Sequence, residues 1–203
     1  MYAGERFNIC THLFGLVLAV LAVPMMLAKT LPGGDAAKIA GALVFALSCV
    51  ALYAASTFSH SARGQAKLRW QRVDHCAIYL LIAGSYTPFA LVTLRGTWGW
   101  LLLAGAWGIA LLGIGRELRS TPSRPALELY VGMGWIGVAA AALLASRIEA
   151  AGLLWLLGGA VLYTVGTVFY VNRAGFRHAH GIWHLFVLGG TASHYVAIAA
   201  FVV

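Results

Sequence analysis

Seven stretches of about 20 apolar residues, at about 9–28, 37–60, 75–94, 98–116, 127–146, 151–171 and 181–202, take up nearly the whole chain. Each is long enough to cross the hydrocarbon core of a bilayer as a helix. Lipid offers no hydrogen bonds to a bare backbone, so such segments must be helical. The expected fold is therefore an all-α membrane protein, a bundle of seven transmembrane helices forming one domain over 1–203. The longest connection, 61–74, leaves no room for a soluble domain. Only 10% of residues are charged, against roughly 25% in an ordinary globular protein. The first stretch, Ile9 to Ala28, is longer than the ~7–15 residues of a signal peptide's apolar region, and is expected to be a retained span.

The net charge of +8 has a membrane explanation, and no nucleic-acid partner is expected. Seven spans divide the connections between two sides. One side holds Arg6, Arg63, Lys67, Arg69, Arg72, Arg116, Arg119, Arg124, Arg173 and Arg177; the other holds Lys29, Lys38, Arg95 and Arg147. The positive-inside rule then places the N-terminus in the cytoplasm and the C-terminus outside. A multi-pass protein of the plasma (inner) membrane is expected. Cys10, Cys49 and Cys76 are scattered and lack a C-x-x-C, so no disulfide framework is expected. G-x-x-x-G, a common close-packing motif of membrane helices, is absent as well.

With that topology, the polar residues of four spans meet at one depth, the cytoplasmic leaflet. Glu5, Asn8 and His12 share one face of span 1 at i, i+3, i+7. Ser56 and His60 lie one turn apart at the end of span 2, and Asp74 is expected where span 3 begins. His180 and His184 form an i, i+4 pair at the start of span 7. Ionisable residues in or beside membrane spans are costly and raise a functional hypothesis by default. Three imidazoles with an open fourth position make the ligand set of a catalytic zinc. The expected ligands are His60, His180 and His184. Asp74 is the expected base or orienting group for water, and Ser56 is expected to hydrogen-bond that water or a substrate carbonyl.

Taken singly, each residue has a blander explanation. An isolated H-x-x-x-H is weak evidence for metal. Asp74 could answer the helix macrodipole or pair with Arg72 at the surface. Ser56 could bond back to the carbonyl of Leu52. Convergence from four helices is what favours the site. His75 points about 100° away from Asp74 and is left out of the ligand set. His178 is expected in solvent. His194 is expected to make a separate buried contact, with Ser193 or a neighbouring helix. Trp70, Trp98, Trp100, Tyr170 and Trp183 fall near span ends, as interfacial anchors do. Pro24 and Pro88 are candidate kinks, and Gly84, Ser85 and Pro88 in G-S-Y-T-P are expected to let helix 3 bend or approach a neighbour closely.

G-E-R-F-N-I-C-T-H-L-F-G at 4–15, S-T-F-S-H-S at 56–61, V-D-H-C-A-I-Y-L-L-I-A-G-S-Y-T-P at 73–88 and H-G-I-W-H-L-F-V at 180–187 resemble the hemolysin III family. That family is related to the adiponectin and progestin receptors and more distantly to alkaline ceramidases. The resemblance covers nearly the whole chain. It implies seven spans, a cytoplasmic N-terminus, and zinc held by His60, His180 and His184 with Asp74 on its water. Ser56 matches the serine of the S-x-x-x-H motif, and Glu5, Asn8 and His12 match the helix 1 pattern around the site. The short N-terminal region gives no reason to carry over hormone binding.

The expected function is zinc-dependent hydrolysis, within the membrane, of a lipid amide or ester, ceramide-like amides being favoured by the resemblance. A zinc-containing regulator or receptor of lipid homeostasis is the second class, and a pore-forming hemolysin the third. A pore needs a polar face running through the membrane, whereas stretches such as Leu16–Val23 are apolar.

Overall fold

Helix breaks fall where the local chemistry demands them. The computed structural model describes residues 4–119 and 127–203, apart from the side chains of 138 and 139. Helix α1 (Glu5–Thr30) runs through Pro24 and ends in a 3₁₀ turn, Leu31–Gly33. Gly34 takes the left-handed conformation that closes this turn, with φ 62°. Asp35 then caps α2 (Ala36–Ser61), its carboxylate accepting from the backbone N–H groups of Ala37 at 2.9 Å and Lys38 at 3.3 Å. Arg95 pairs with the same carboxylate and holds it below the usual carboxylate range.

Helix α3 (Gly64–Pro88) continues through a π-helical turn, Phe89–Thr93, at Pro88. After it come α4 (Thr97–Arg119), α5 (Leu127–Leu144), α6 (Ala150–Val171) and α7 (Ala179–Phe201). All seven are long and apolar enough to cross a membrane, and no strand occurs among the described residues. The bundle is apolar on its outside, as lipid requires. Leu112 is 76% exposed and Leu154 70%.

One expectation about the connections fails. Residues 64–74 are helix, so the link between α2 and α3 is residues 62 and 63 alone. Gln65 to Val73 hold good helix formers without Pro or Gly. Counting apolar residues ended the span where the charges began, but a helix can run on into the polar headgroup region. Asp74 and His75 therefore lie about three turns inside α3 rather than at its start.

Helix α2 packs along both α1 and α3, α6 packs along α7, and α1 meets α7; α5 touches its neighbours lightly. Small residues set the close approaches. A Cβ on Gly84 would come within 2.4 Å of the Ser48 hydroxyl oxygen, as the expected near approach required. Helix α6 carries a stripe that a search for G-x-x-x-G overlooks. Gly152, Gly159 and Gly166, spaced by seven, are its buried residues and face Phe201, His194 and Trp183 of α7. Seven residues are two helical turns, so all three lie on one side. At Gly159 an added Cβ would lie 2.3 Å from His194 Cδ2 and 3.0 Å from the Gly190 carbonyl oxygen. Gly159→Val is expected to destabilise the detergent-purified protein by about 1–3 kcal/mol. Gly158→Ala, whose nearest neighbour lies at 3.6 Å, should leave the thermal transition in place. Equal transitions for the two variants would refute this packing.

Arg124 lies outside the described residues. The other cations of the larger set fall at the end of the bundle where α1, α3 and α7 begin and α2, α4 and α6 end. The cytoplasmic side is expected to be that end. A periplasm-active reporter fused after Val203 should be active, and a cytoplasm-active one silent; the reverse pattern would overturn the orientation.

Candidate metal centre

His60 is the penultimate residue of α2, and His180 and His184 occupy the first two turns of α7. One ligand atom from each of these three lies within 4.8 Å of the others. Ring centroids are 5.0 Å apart for His60 and His180, 4.9 Å for His60 and His184, and 4.6 Å for His180 and His184. The three residues that sequence spacing selected are thus brought together.

Their tautomers follow from the partners that α1 supplies. Glu5 Oε2 accepts from His60 Nδ1 at 2.6 Å. His60 Nε2 is left buried, with no hydrogen-bond partner among the described residues. His184 Nδ1 lies 3.3 Å from the Asn8 carbonyl and 3.1 Å from Thr11 Oγ1. The single hydrogen of the Thr11 hydroxyl is directed at the carbonyls of Phe7 and Asn8, so its oxygen too accepts from the ring. Both rings therefore hold hydrogen on Nδ1 and present the Nε2 lone pair. Metal-ligating histidines are arranged this way, with the second nitrogen tied to a carboxylate or carbonyl. An orphaned, buried Nε2 within a three-imidazole cluster fits zinc.

Glu5 is itself fixed by Asn8 Nδ2 at 2.9 Å and by Lys67 Nζ at 2.7 Å. Glu5 and Asn8 thus stand against the histidine triad, from the one face of α1 that they share. His12 plays another part. Its ring stacks on His184, centroids 3.6 Å apart, and meets Tyr53 edge-on at 5.2 Å. It lies outside the triad, and both its nitrogens lack partners among the described residues.

Asp74 faces the Ser56 hydroxyl, which hydrogen-bonds its carboxyl. Both line the same cavity as the triad, a space of about 690 Å³. Beyond the histidines the cavity passes between apolar side chains, among them Leu81, Phe89, Leu102 and Leu156. His75 lies outside the triad, as its direction implied, and its Nδ1 donates to Glu117 Oε1 at 2.6 Å. His178 is exposed. His194 Nε2 meets the Leu156 carbonyl of α6 at 3.2 Å, the separate contact expected.

Four participants escaped the sequence reading. Lys67 was assigned to a connection. Thr11 carried no signal beyond standing next to His12. Tyr170 and Trp183 were read as interfacial anchors, yet both line the cavity, and the Tyr170 ring lies 5.9 Å from His180. Trp98 and Trp100 are exposed at the start of α4, which suits such anchors.

Residues 2–195 match a family described as Haemolysin-III related. Hemolysin-3 of Bacillus cereus is 37% identical over 202 residues, covering 98% of this chain and 91% of that protein. The Hemolysin-3 homolog of Bacillus subtilis (strain 168) is 37% identical over 198 residues, with 96% and 92% covered. Monocyte to macrophage differentiation factor of Homo sapiens is 28% identical over 205 residues, with 94% and 81% covered.

Proposed function

The chain belongs to the Haemolysin-III related family of membrane proteins, and within it we propose a zinc-dependent hydrolase of a lipid amide or ester. The observation that carries this reading is the pairing of two His Nδ1 atoms with α1, which turns their Nε2 atoms inward beside His180. The depth and apolar lining of the cavity suit a lipid chain, and its polar end holds Asp74 and Ser56. The plasma membrane is the proposed location.

Zinc, when bound, supplies Lewis acidity toward water and a carbonyl oxygen. His60, His180 and His184 would hold it, and Glu5 keeps His60 in the required tautomer. Asp74 would accept the proton of the attacking water and return it to the departing nitrogen or oxygen. The water's oxygen joins the carbonyl carbon as that bond breaks, leaving a fatty acid and an amine or alcohol. Ser56 orients the Asp74 carboxyl. The apolar walls would seat the acyl chain and keep bulk water away.

Incubation of purified protein with a panel of lipid amides and esters tests this. Fatty acid release is expected, abolished by chelation and restored by zinc. No release from any lipid in the panel would overturn the hydrolase. One observation favours a regulator instead: the hydrogen bonds behind the ligands join α1, α2, α3 and α7, an arrangement that also suits a metal holding helices together. In that case chelation would lower the thermal transition while no lipid is cleaved.

A further inference from the structure

The deep part of the cavity holds a polar spot that this chemistry does not use. His194 of α7 and Tyr163 and Thr164 of α6 line it, among apolar neighbours such as Leu156 and Leu157. An imidazole placed inside a lipid-embedded bundle is costly, and by default it marks a function. Helix α6 is shaped around this one, since a Cβ on Gly159 would meet both its Cδ2 and its Nε2.

The hydrogen bonds decide what the spot can bind. A carbonyl only accepts, so the His194 Nε2 that faces Leu156 O at 3.2 Å carries the hydrogen. The neutral ring then offers Nδ1 as an acceptor. The Thr191 hydroxyl donates its single hydrogen to the Val187 carbonyl at 2.9 Å. Tyr53 at 2.9 Å and Tyr163 at 2.8 Å must therefore both donate to Thr191 Oγ1. The Tyr163 oxygen is left able only to accept. Thr164 likewise donates to the Ala160 carbonyl at 2.8 Å. All three side chains offer lone pairs, and none offers a free hydrogen.

We propose that this spot binds a hydroxyl carried part-way along the hydrocarbon chain of the cavity's lipid. The ligand class is a mid-chain hydroxylated acyl chain. A keto or ether oxygen has no hydrogen to give and is excluded. His194 stands ten residues beyond His184 on α7, ~15 Å at the helical rise, so the hydroxyl belongs well away from the carbonyl end. The proposal rests on the lipid reading of the cavity but not on hydrolysis or on bound metal.

Binding of stearate, a mid-chain hydroxystearate and the matching ketostearate to the purified full-length protein tests it, by displacement of a fluorescent fatty acid. Hydroxystearate is expected to bind about five- to tenfold more tightly than stearate, the worth of one buried hydrogen bond. Ketostearate should bind no better than stearate. His194→Leu should remove the hydroxyl advantage and leave stearate affinity within about twofold. Tyr163→Phe serves as a second variant and should reduce the advantage. Equal wild-type affinities for stearate and hydroxystearate overturn the proposal, the spot then holding water only, while leaving the lipid reading intact. An advantage shared by ketostearate, or retained in His194→Leu, also overturns it. Failure of all three acids to bind removes the lipid reading, and this proposal with it.

Discussion

Purified His60→Ala and His184→Ala proteins are expected to hold less than about one tenth of the wild-type zinc, where the wild type holds about one ion per chain. Each change removes one of three imidazoles, and two ligands rarely hold zinc against solvent. Glu5→Gln should behave differently. The ligands stay, but the amide no longer offers a carboxylate to the His60 Nδ1 hydrogen or to Lys67. Affinity should fall about 10–100-fold, the usual cost of losing a supporting carboxylate. Metal content by mass spectrometry after dialysis against graded chelator separates the two effects. Full zinc in His184→Ala would remove the triad as the metal site. His12 supplies an internal control. It stacks on His184 but is outside the triad, so His12→Ala should lower metal content less than His184→Ala does.

Asp74→Asn is expected to lower lipid hydrolysis by about 10²–10⁴ while zinc content stays near that of the wild type. The amide has the size of the carboxyl and can still meet Ser56, but it cannot take a proton. Ser56→Ala should cost less, because it removes only an orienting contact. Lipid turnover and metal content measured on the same preparations test the division of labour. An Asp74→Asn protein that turns over lipid at the wild-type rate would end the catalytic role of Asp74. If Asp74→Asn loses its zinc instead, the carboxyl supports the metal rather than the reaction.

The seven helices were legible because lipid enforces them: twenty apolar residues without charge have little else to form. The H-x-x-x-H and S-x-x-x-H spacings were legible because i, i+4 residues share a helix face. Counting helix directions then brought four elements to one depth, and His60, His180 and His184 do meet there. Other features carried no local signal. The start of α3 at Gly64 lies among charges, where apolar windows say nothing, so the link from Lys67 to Glu5 was hidden. Thr11 braces His184 across 173 residues of sequence, and no pattern within α1 announces that. The pairing of His75 with Glu117 joins two helices whose relative rotation only packing decides. The glycine stripe of α6 was missed because it repeats every seven residues rather than every four.

The ligand set has an order in time as well as in space. Two of the three imidazoles sit on α7, which follows the other six helices as the chain leaves the ribosome. The partners that orient His184, and those that orient His60 on α2, sit on α1 and are made first. Helices α1 to α3 carry only His60 of the three, too few imidazoles for the proposed zinc site. If the triad holds zinc as proposed, loading would await the synthesis of α7 and its docking against α1. A chain stopped before α7 has neither two of the three imidazoles nor the wall that Trp183 and Val187 give the cavity. Occupancy by the proposed zinc would thereby distinguish finished protein from truncated protein.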